Sequence, residues 1–186
     1  RWYTFENRSA EKGAGGKTRF GRKGSPAPQV KAGETFVLAD IKQSGTIRRI
    51  WITIDKHGDL DVLRGVKFEI YWEDAATPAV QVPIGDFFCH SFARMCTFEN
   101  ALFSSPEGRS FNCIIPMPFR KAAKIQIINE SSKDITFFYE VDCTLGDPHS
   151  DDILYFHSSW RRENFNKVRQ DMAILPKIEG TGRFLG

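Results

Sequence analysis

Strict alternation of apolar and polar residues is the feature that most restricts what this chain can fold into. In the segment Val66–Trp72, Val66, Phe68, Ile70 and Trp72 share one phase, and Lys67, Glu69 and Tyr71 share the other. Residues 134–143 repeat the pattern with Ile135, Phe137, Tyr139, Val141 and Cys143. Successive strand side chains point to opposite faces, so a period of two at this length predicts strands with one buried face. Further strands are predicted at 35–41, 47–54, 79–82, 111–115, 125–128 and 153–160, with turn signals at 31–33, 57–58, 77–78 and 147–148. The polar run 129–134 between two apolar segments predicts a hairpin. Helical spacing is confined to a turn or two over 59–64. Many short strands at this spacing predict an all-β fold, an antiparallel β-sandwich or a barrel. The 186 residues suit one such domain, large enough to bury roughly 70% of the surface of its unfolded chain.

Charge is uneven along the chain. Residues 1–31 hold eight Lys/Arg against two Glu, although the whole chain is only +3. A basic, glycine-rich arm over 1–33 either meets an anionic partner or is a solvated segment; the second is the commoner case, and no nucleic acid is expected. No apolar run approaches the ~18 residues of a membrane span, so no membrane partner is expected. No apolar core of a secretory signal precedes Gly13. Cys89, Cys96, Cys113 and Cys143 form no C-x-x-C pair, so neither a metal nor a cofactor is expected. Cys113 and Cys143 fall on apolar strand phases as buried free thiols, which leans toward a reducing, cytoplasmic compartment.

The run Pro116-Met117-Pro118-Phe119 lies between an apolar strand and the basic pair Arg120, Lys121. Two prolines spaced by one residue remove two donors, so a regular strand is expected to stop there, presenting Met117 and Phe119 to a cleft or forming a plain crossover. The run Gly13-Ala14-Gly15-Gly16-Lys17-Thr18 evokes a phosphate loop but fails its spacing, because position 11 is Glu11 and the preceding residues are polar; Thr18 also breaks the dinucleotide fingerprint. What remains is a flexible arm or a loop whose glycines permit positive φ and close approach of a ligand.

Other candidates carry sugar-binding chemistry. Arg49 and Trp51 share a strand phase, opposite Ile50 and Ile52. An aromatic face beside planar donors suits sugar C–H faces and hydroxyls, although Trp51 suits core or interface equally. Asp86, in a turn after Pro83, either binds hydroxyls or caps its own backbone. Phe87 and Phe88 cannot both be buried in an extended segment, so one is a candidate cleft wall. Asn112, out of phase with Phe111 and Cys113, is a further candidate. Two carboxyl groups about 5 Å apart would let one act as nucleophile and the other as acid. Asp86, Glu99, Glu107, Glu163 and Glu179 are available, and nothing in the sequence pairs any two of them.

Six segments appear in order: Arg-Trp-Tyr-Thr-Phe-Glu-Asn at 1–7, Gly-Ala-Gly-Gly-Lys at 13–17, Ile-Arg-Arg-Ile-Trp at 47–51, Pro-Ile-Gly-Asp-Phe-Phe at 83–88, Pro-Met-Pro-Phe at 116–119, and 155–163. Together they resemble the family catalogued as domain of unknown function 2961, glycoside hydrolase family 172. The resemblance implies a retaining α-furanosidase scaffold acting on α-D-fructofuranosides or α-D-arabinofuranosides. It further implies a double jelly roll assembled as a homo-oligomer, trimer or hexamer, with sites near subunit contacts. On that scheme, 34–175 is the first jelly roll and 176–186 opens a crossover to a second, which the 186 residues do not include. The family's catalytic carboxylates would lie in that second half, so no catalytic residue is assigned here. Gly15, Gly16, Lys17, Arg49, Trp51, Asp86, Phe87 and Asn112 are assigned as furanoside contacts, Lys17 as a hydroxyl donor. The other reading is a non-catalytic carbohydrate-binding or assembly module.

Overall fold

The alternating segments become strands of two packed sheets. The computed structural model describes residues 1–17, 19–22, 24–175 and 177–186. Thr18 of the glycine-rich run and residue 176, where the crossover was set to begin, lie outside the described residues. In chain order the elements are β1 (Trp2–Thr4), β2 (Gln29–Val30), β3 (Thr35–Ile41), β4 (Gly45–Ile54), α1 (Leu60–Gly65), β5 (Val66–Trp72), β6 (Val80–Pro83) and α2 (Ile84–Phe87). A single 3-10 turn (Ser91–Ala93) leads to β7 (Phe98–Glu99), β8 (Phe103–Ser105), β9 (Ser110–Cys113), β10 (Met117–Phe119), β11 (Ala123–Asn129), β12 (Ile135–Leu145) and β13 (Ser158–Ser159). One sheet runs β1-β12-β4-β9-β8-β7, with β10 also beside β4 and β2 also beside β12; the other runs β13-β6-β5-β11-β3.

The fold is an all-β sandwich. Among the described residues every strand pairing is antiparallel except β13 with β6. The inward phases are those the alternation predicts: Val66, Phe68, Ile70 and Trp72 of β5, and Ile135, Phe137, Tyr139, Val141 and Cys143 of β12, are buried in one core with Ile50, Ile52 and Ile54 of β4. Removing each large side chain from water contributes about 1.5–3 kcal/mol. Helix α1 fills the 59–64 segment because the Asp59 carboxylate caps it, accepting from the backbone N–H of Asp61 (3.0 Å) and Val62 (3.4 Å). Val62 and Leu63 turn inward from it.

Three expectations need correction. The run 129–134 does not close a hairpin, because β11 belongs to the five-stranded sheet and β12 to the other. It is a corner held by the buried Asn129, whose amide donates to the carbonyls of Val30 (3.1 Å) and Lys133 (2.8 Å) and accepts from the Ser131 hydroxyl (2.6 Å). Those bonds satisfy a polar loop locally and carry the chain across the sandwich.

The strand before the prolines does stop, β9 ending at Cys113, but a new strand begins within the run and presents neither Met117 nor Phe119. Met117–Phe119 is β10, paired with the start of β4, and Met117 and Phe119 are fully buried rather than presented. A strand directs only alternate N–H groups to a given neighbour, so a single proline, Pro118, is tolerated within β10. Phe119 then stacks on Trp72, with ring planes 15° apart. Finally, 153–160 pairs only through Ser158–Ser159. It is otherwise held by side chains and caps, Trp72 Nε1 donating to the Phe156 carbonyl (2.8 Å) and Arg120 Nε to the Tyr155 hydroxyl (2.8 Å).

Two predictions follow from this packing. A Cβ on Gly45 would press on the Thr144 carbonyl oxygen and lie 2.9 Å from Phe119 Cζ. Gly45→Ala is expected to destabilise by about 2–3 kcal/mol, read as a lower urea midpoint at unchanged slope.

His90 is only 1% exposed, its ring lying 5.5 Å from Phe98 and 5.2 Å from Phe111. Neither ring nitrogen makes a hydrogen bond of acceptable geometry among the described residues. Burial pushes its pKa below the ordinary 6.5, with the Arg94 backbone offsetting part of the effect. The unfolded chain therefore binds this proton first, so its contribution is intact above pH 6.5 and lost as pH falls below it. Urea midpoints should drop between pH 7 and 5, and His90→Phe should flatten that drop; an unchanged slope would exclude His90 as its source. Glu69, whose carboxyl is held below the ordinary 4.5, adds its own loss only at lower pH.

Candidate functional site

Trp51 stands in the middle of β4, with Glu140 of β12 as register partner on one side and Asn112 of β9 on the other. Two residues away, Arg49 faces Asp142, which also faces Trp2 of β1. Because Ile50 and Ile52 point into the core, these residues share the outer face of the sheet as two cross-strand rows. One is Thr4, Glu140, Trp51 and Asn112, and the other is Trp2, Asp142 and Arg49.

Arg49 organises that face. Its Nη1 lies 3.8 Å from Glu140 and 3.5 Å from Asp142, and its Nε donates to Asn112 Oδ1 at 3.4 Å. Asn112 in turn donates to the Ser104 carbonyl at 3.3 Å. One guanidinium thus serves two carboxylates and an amide. Asp142 Oδ1 is left buried with no hydrogen-bond partner among the described residues. Burial pushes the Asp142 carboxyl above the usual aspartate range, and the Arg49 charge holds it back.

A cavity of about 900 Å³ lies over this face. Trp2, Trp51, Phe138 and Glu140 form its floor, and the segment from Glu6 to Gly16 supplies the wall. Asn7 clamps the wall: its Nδ2 donates to the Glu11 carbonyl and its Oδ1 accepts from the Glu11 N–H, both at 3.0 Å, while its own N–H donates to Thr4 Oγ1 at 3.1 Å. Gly13 and Gly16 have φ of +72° and +69°, and a Cβ on either would meet no atom within 4 Å. Glycine is required there for its backbone conformation, not for a close approach. A second, open trough of about 450 Å³ on the other sheet is lined by Asp40, Lys42, Tyr71 and Asp74. Its charges answer one another, Lys42 lying 2.7 Å from Asp74 and 3.1 Å from Asp40.

Of the residues assigned from sequence, Gly15, Gly16 and Trp51 line the cavity, and Arg49 and Asn112 adjoin its floor. Lys17 is exposed, one residue past the wall. Asp86 and Phe87 are not brought to it. The segment after Pro83 coils into α2 rather than extending, so Phe87 and Phe88 are both buried and neither is a cleft wall. Phe87 packs at 4.7 Å on Phe68, 4.9 Å on Phe88 and 5.9 Å on Phe103. Asp86 pairs with Arg64 at 3.2 Å; burial raises its pKa and Arg64 opposes the rise.

Sequence reasoning missed Trp2, Glu140 and Asp142. The signal for Glu140 and Asp142 was the outward phase of 134–143, and that for Trp2 was its place out of phase with the buried Tyr3. Residues 25–139 match the family model described as GH172 domain-like, a span that contains Arg49, Trp51 and Asn112 and ends one residue before Glu140. No curated protein matches the sequence.

Removing the Arg49 charge should free Asp142 to titrate higher. In Arg49→Gln the carboxyl resonance of Asp142 is expected to move its midpoint upward, away from the ordinary 3.8, by carbon-detected NMR. An unmoved midpoint would mean that the guanidinium does not set the charge of this face.

Proposed function

The chain belongs to the GH172 domain-like family, a glycoside hydrolase family, and from that premise we propose that it binds an α-furanoside in the cavity over β4 and β12. The observation that carries the reading is the row Glu140, Trp51 and Asn112, edged by Arg49 and walled by the glycine-bearing segment. Trp51 offers an apolar ring face for sugar C–H groups. Glu140 accepts from hydroxyls, and Arg49 and Asn112 donate to ring and hydroxyl oxygens.

We infer an α-D-fructofuranoside or α-D-arabinofuranoside as the ligand. The share of the reaction supplied by this domain is binding and orientation. Glu140 of the floor and Asp142 beside it are engaged by one cation, which supports holding a substrate rather than nucleophilic attack. Nucleophile and acid are accordingly assigned to residues outside this domain. The exposed apolar side chains of Phe165, Val168, Ile174 and Ile178 support subunit contacts in a trimer or hexamer.

Calorimetry with methyl α-D-arabinofuranoside and methyl α-D-fructofuranoside should detect binding, and Trp51→Ala should weaken it at least tenfold, about 1.4 kcal/mol. The same protein should release no p-nitrophenol from p-nitrophenyl α-arabinofuranoside. Hydrolysis by this chain would overturn the division of labour, and failure to bind either furanoside would sink the sugar site itself.

A further inference from the structure

The segment after α2 reverses direction on residues that ordinarily avoid such a turn. Phe92 and Ala93 have φ of +61° and +50°, and the Arg94 N–H donates to the Ser91 carbonyl at 3.5 Å. Two central residues at positive φ, closed by a bond from the fourth residue to the first, mark a hairpin turn of the I′ kind. Neither residue is glycine, asparagine or aspartate, so the turn is strained. Burial alternates symmetrically about it. On the way in, Cys89 is exposed, His90 buried and Ser91 exposed; on the way out, Arg94 is exposed, Met95 half-buried and Cys96 exposed. Cys89 and Cys96 therefore stand at equivalent positions on the two arms and share the solvent side. Opposed positions on one face of an antiparallel pair hold their Cβ atoms about 4.5–5.5 Å apart, and a disulfide needs about 3.5–4.5 Å.

Other contacts keep the two arms together. The ring of His90, next to Cys89, packs 5.5 Å from that of Phe98, two residues past Cys96. The Cys89 residue is exposed, yet enough protein surrounds its thiol to push the pKa up, and the charge of a Cys96 thiolate adds to the rise. Cys113 and Cys143 are buried, which leaves Cys89 and Cys96 as the thiols open to a reagent. Phe92 at the tip is 81% exposed, so little burial holds the turn in place without a bridge.

We propose that Cys89 and Cys96 are a redox-sensitive pair, whose disulfide pins the 89–96 turn and whose reduction releases it. The inference does not rest on the sugar-binding reading. The co-reactant is a small disulfide of the glutathione class. Because its raised pKa keeps Cys89 protonated, Cys96 makes the first attack. It gives up its proton and attacks one sulfur of the small disulfide, whose S–S bond breaks to leave a mixed disulfide and one free thiolate. Cys89, deprotonated in turn, attacks the Cys96 sulfur, so the protein S–S bond forms and the second small thiolate leaves. The protein loses two electrons and two protons, and the small disulfide takes them up as two thiols.

The test treats the whole chain with oxidised glutathione and digests it with trypsin in the absence of reductant. Trypsin cuts after Arg94, between the two cysteines, so a bridge alone joins peptide 68–94 to peptide 95–109. The joined pair is expected from a chain that stays monomeric and is lighter by two hydrogen atoms. Hydrogen exchange over 89–97 should slow about tenfold or more in the bridged form and recover on reduction. Cys89→Ser, a change at an exposed position, should instead hold glutathione on Cys96. Peptide 110–120, which carries Cys113, joined to either partner would overturn the proposal. So would a bridge between two copies, glutathione on both cysteines without a bridge, or no reaction at either thiol. A bridged chain whose 89–97 amides exchange no slower would overturn it as a switch.

Discussion

The alternation of strand β12 is the constraint on which the rest depends. Its odd-numbered residues from Ile135 to Cys143 fill the core, while Phe138 and Glu140 belong to the floor of the site and Asp142 pairs with Arg49 beside it. Core and site are therefore two faces of one ladder. A slip of one residue would send Tyr139 and Val141 to solvent and both carboxylates inward, a loss of buried apolar area and a gain of buried charge together. The register with β4 runs unbroken from Phe137 to Asp142 and shifts only between Asp142 and Cys143. The irregularity begins where the floor ends, so the site lies on the regular part of the ladder, where side-chain directions are fixed.

Two carboxylates on the outer faces of the two sheets show what the floor is for. Glu69 on β5 is only 2% exposed and accepts from Gln81 (2.8 Å), Gln126 (2.7 Å) and Tyr71 (2.8 Å). Burial works against its charge, but those three donors outweigh it and hold the carboxyl low, while the Tyr71 phenol is pushed up to about 12. Asp142 is less buried, yet its pKa moves the opposite way, because one shared guanidinium replaces three dedicated donors. A fully satisfied network fixes a sheet and asks for nothing more. A partly satisfied one beside a cavity has bonding capacity left for a ligand.

The faces of the strands were legible in the sequence and their partners were not. Val66, Phe68, Ile70 and Trp72 announce a buried phase wherever β5 is placed, because periodicity depends on the backbone alone. Whether β11 turns back on itself or crosses to the other sheet is decided by Asn129 and its bonds to Val30 and Lys133, one of them 99 residues away in sequence. A polar loop reads the same in both cases. The same limit hid the site. Trp51 and Arg49 could be paired from one strand, but Glu140 and Asp142 joined them only once β12 was known to lie beside β4. Phe87 misled for a local reason: four residues after Pro83 are enough for a turn of helix, and that turn rotates an expected cleft wall into the core.

The basic arm acquires a definite place from the same strand. Its start, β1, pairs with β12 at Glu140, Val141 and Asp142, and its end, β2, pairs with β12 at Ile135 and Thr136. The described residues from Glu6 to Gly16 belong to a segment tied at both ends to that ladder, and they overhang its outer face. Such a tether restricts the loop far more than attachment at one end would, since closure between fixed points removes most of its conformations. The clamp of Asn7 on Glu11 narrows it further on the side facing Trp51. Wall and floor are thus both referred to β12, and a glycine-rich segment that reads as a flexible tail in isolation becomes one side of a preformed cavity. Less ordering is then left for a ligand to impose when it binds, which favours affinity from few contacts.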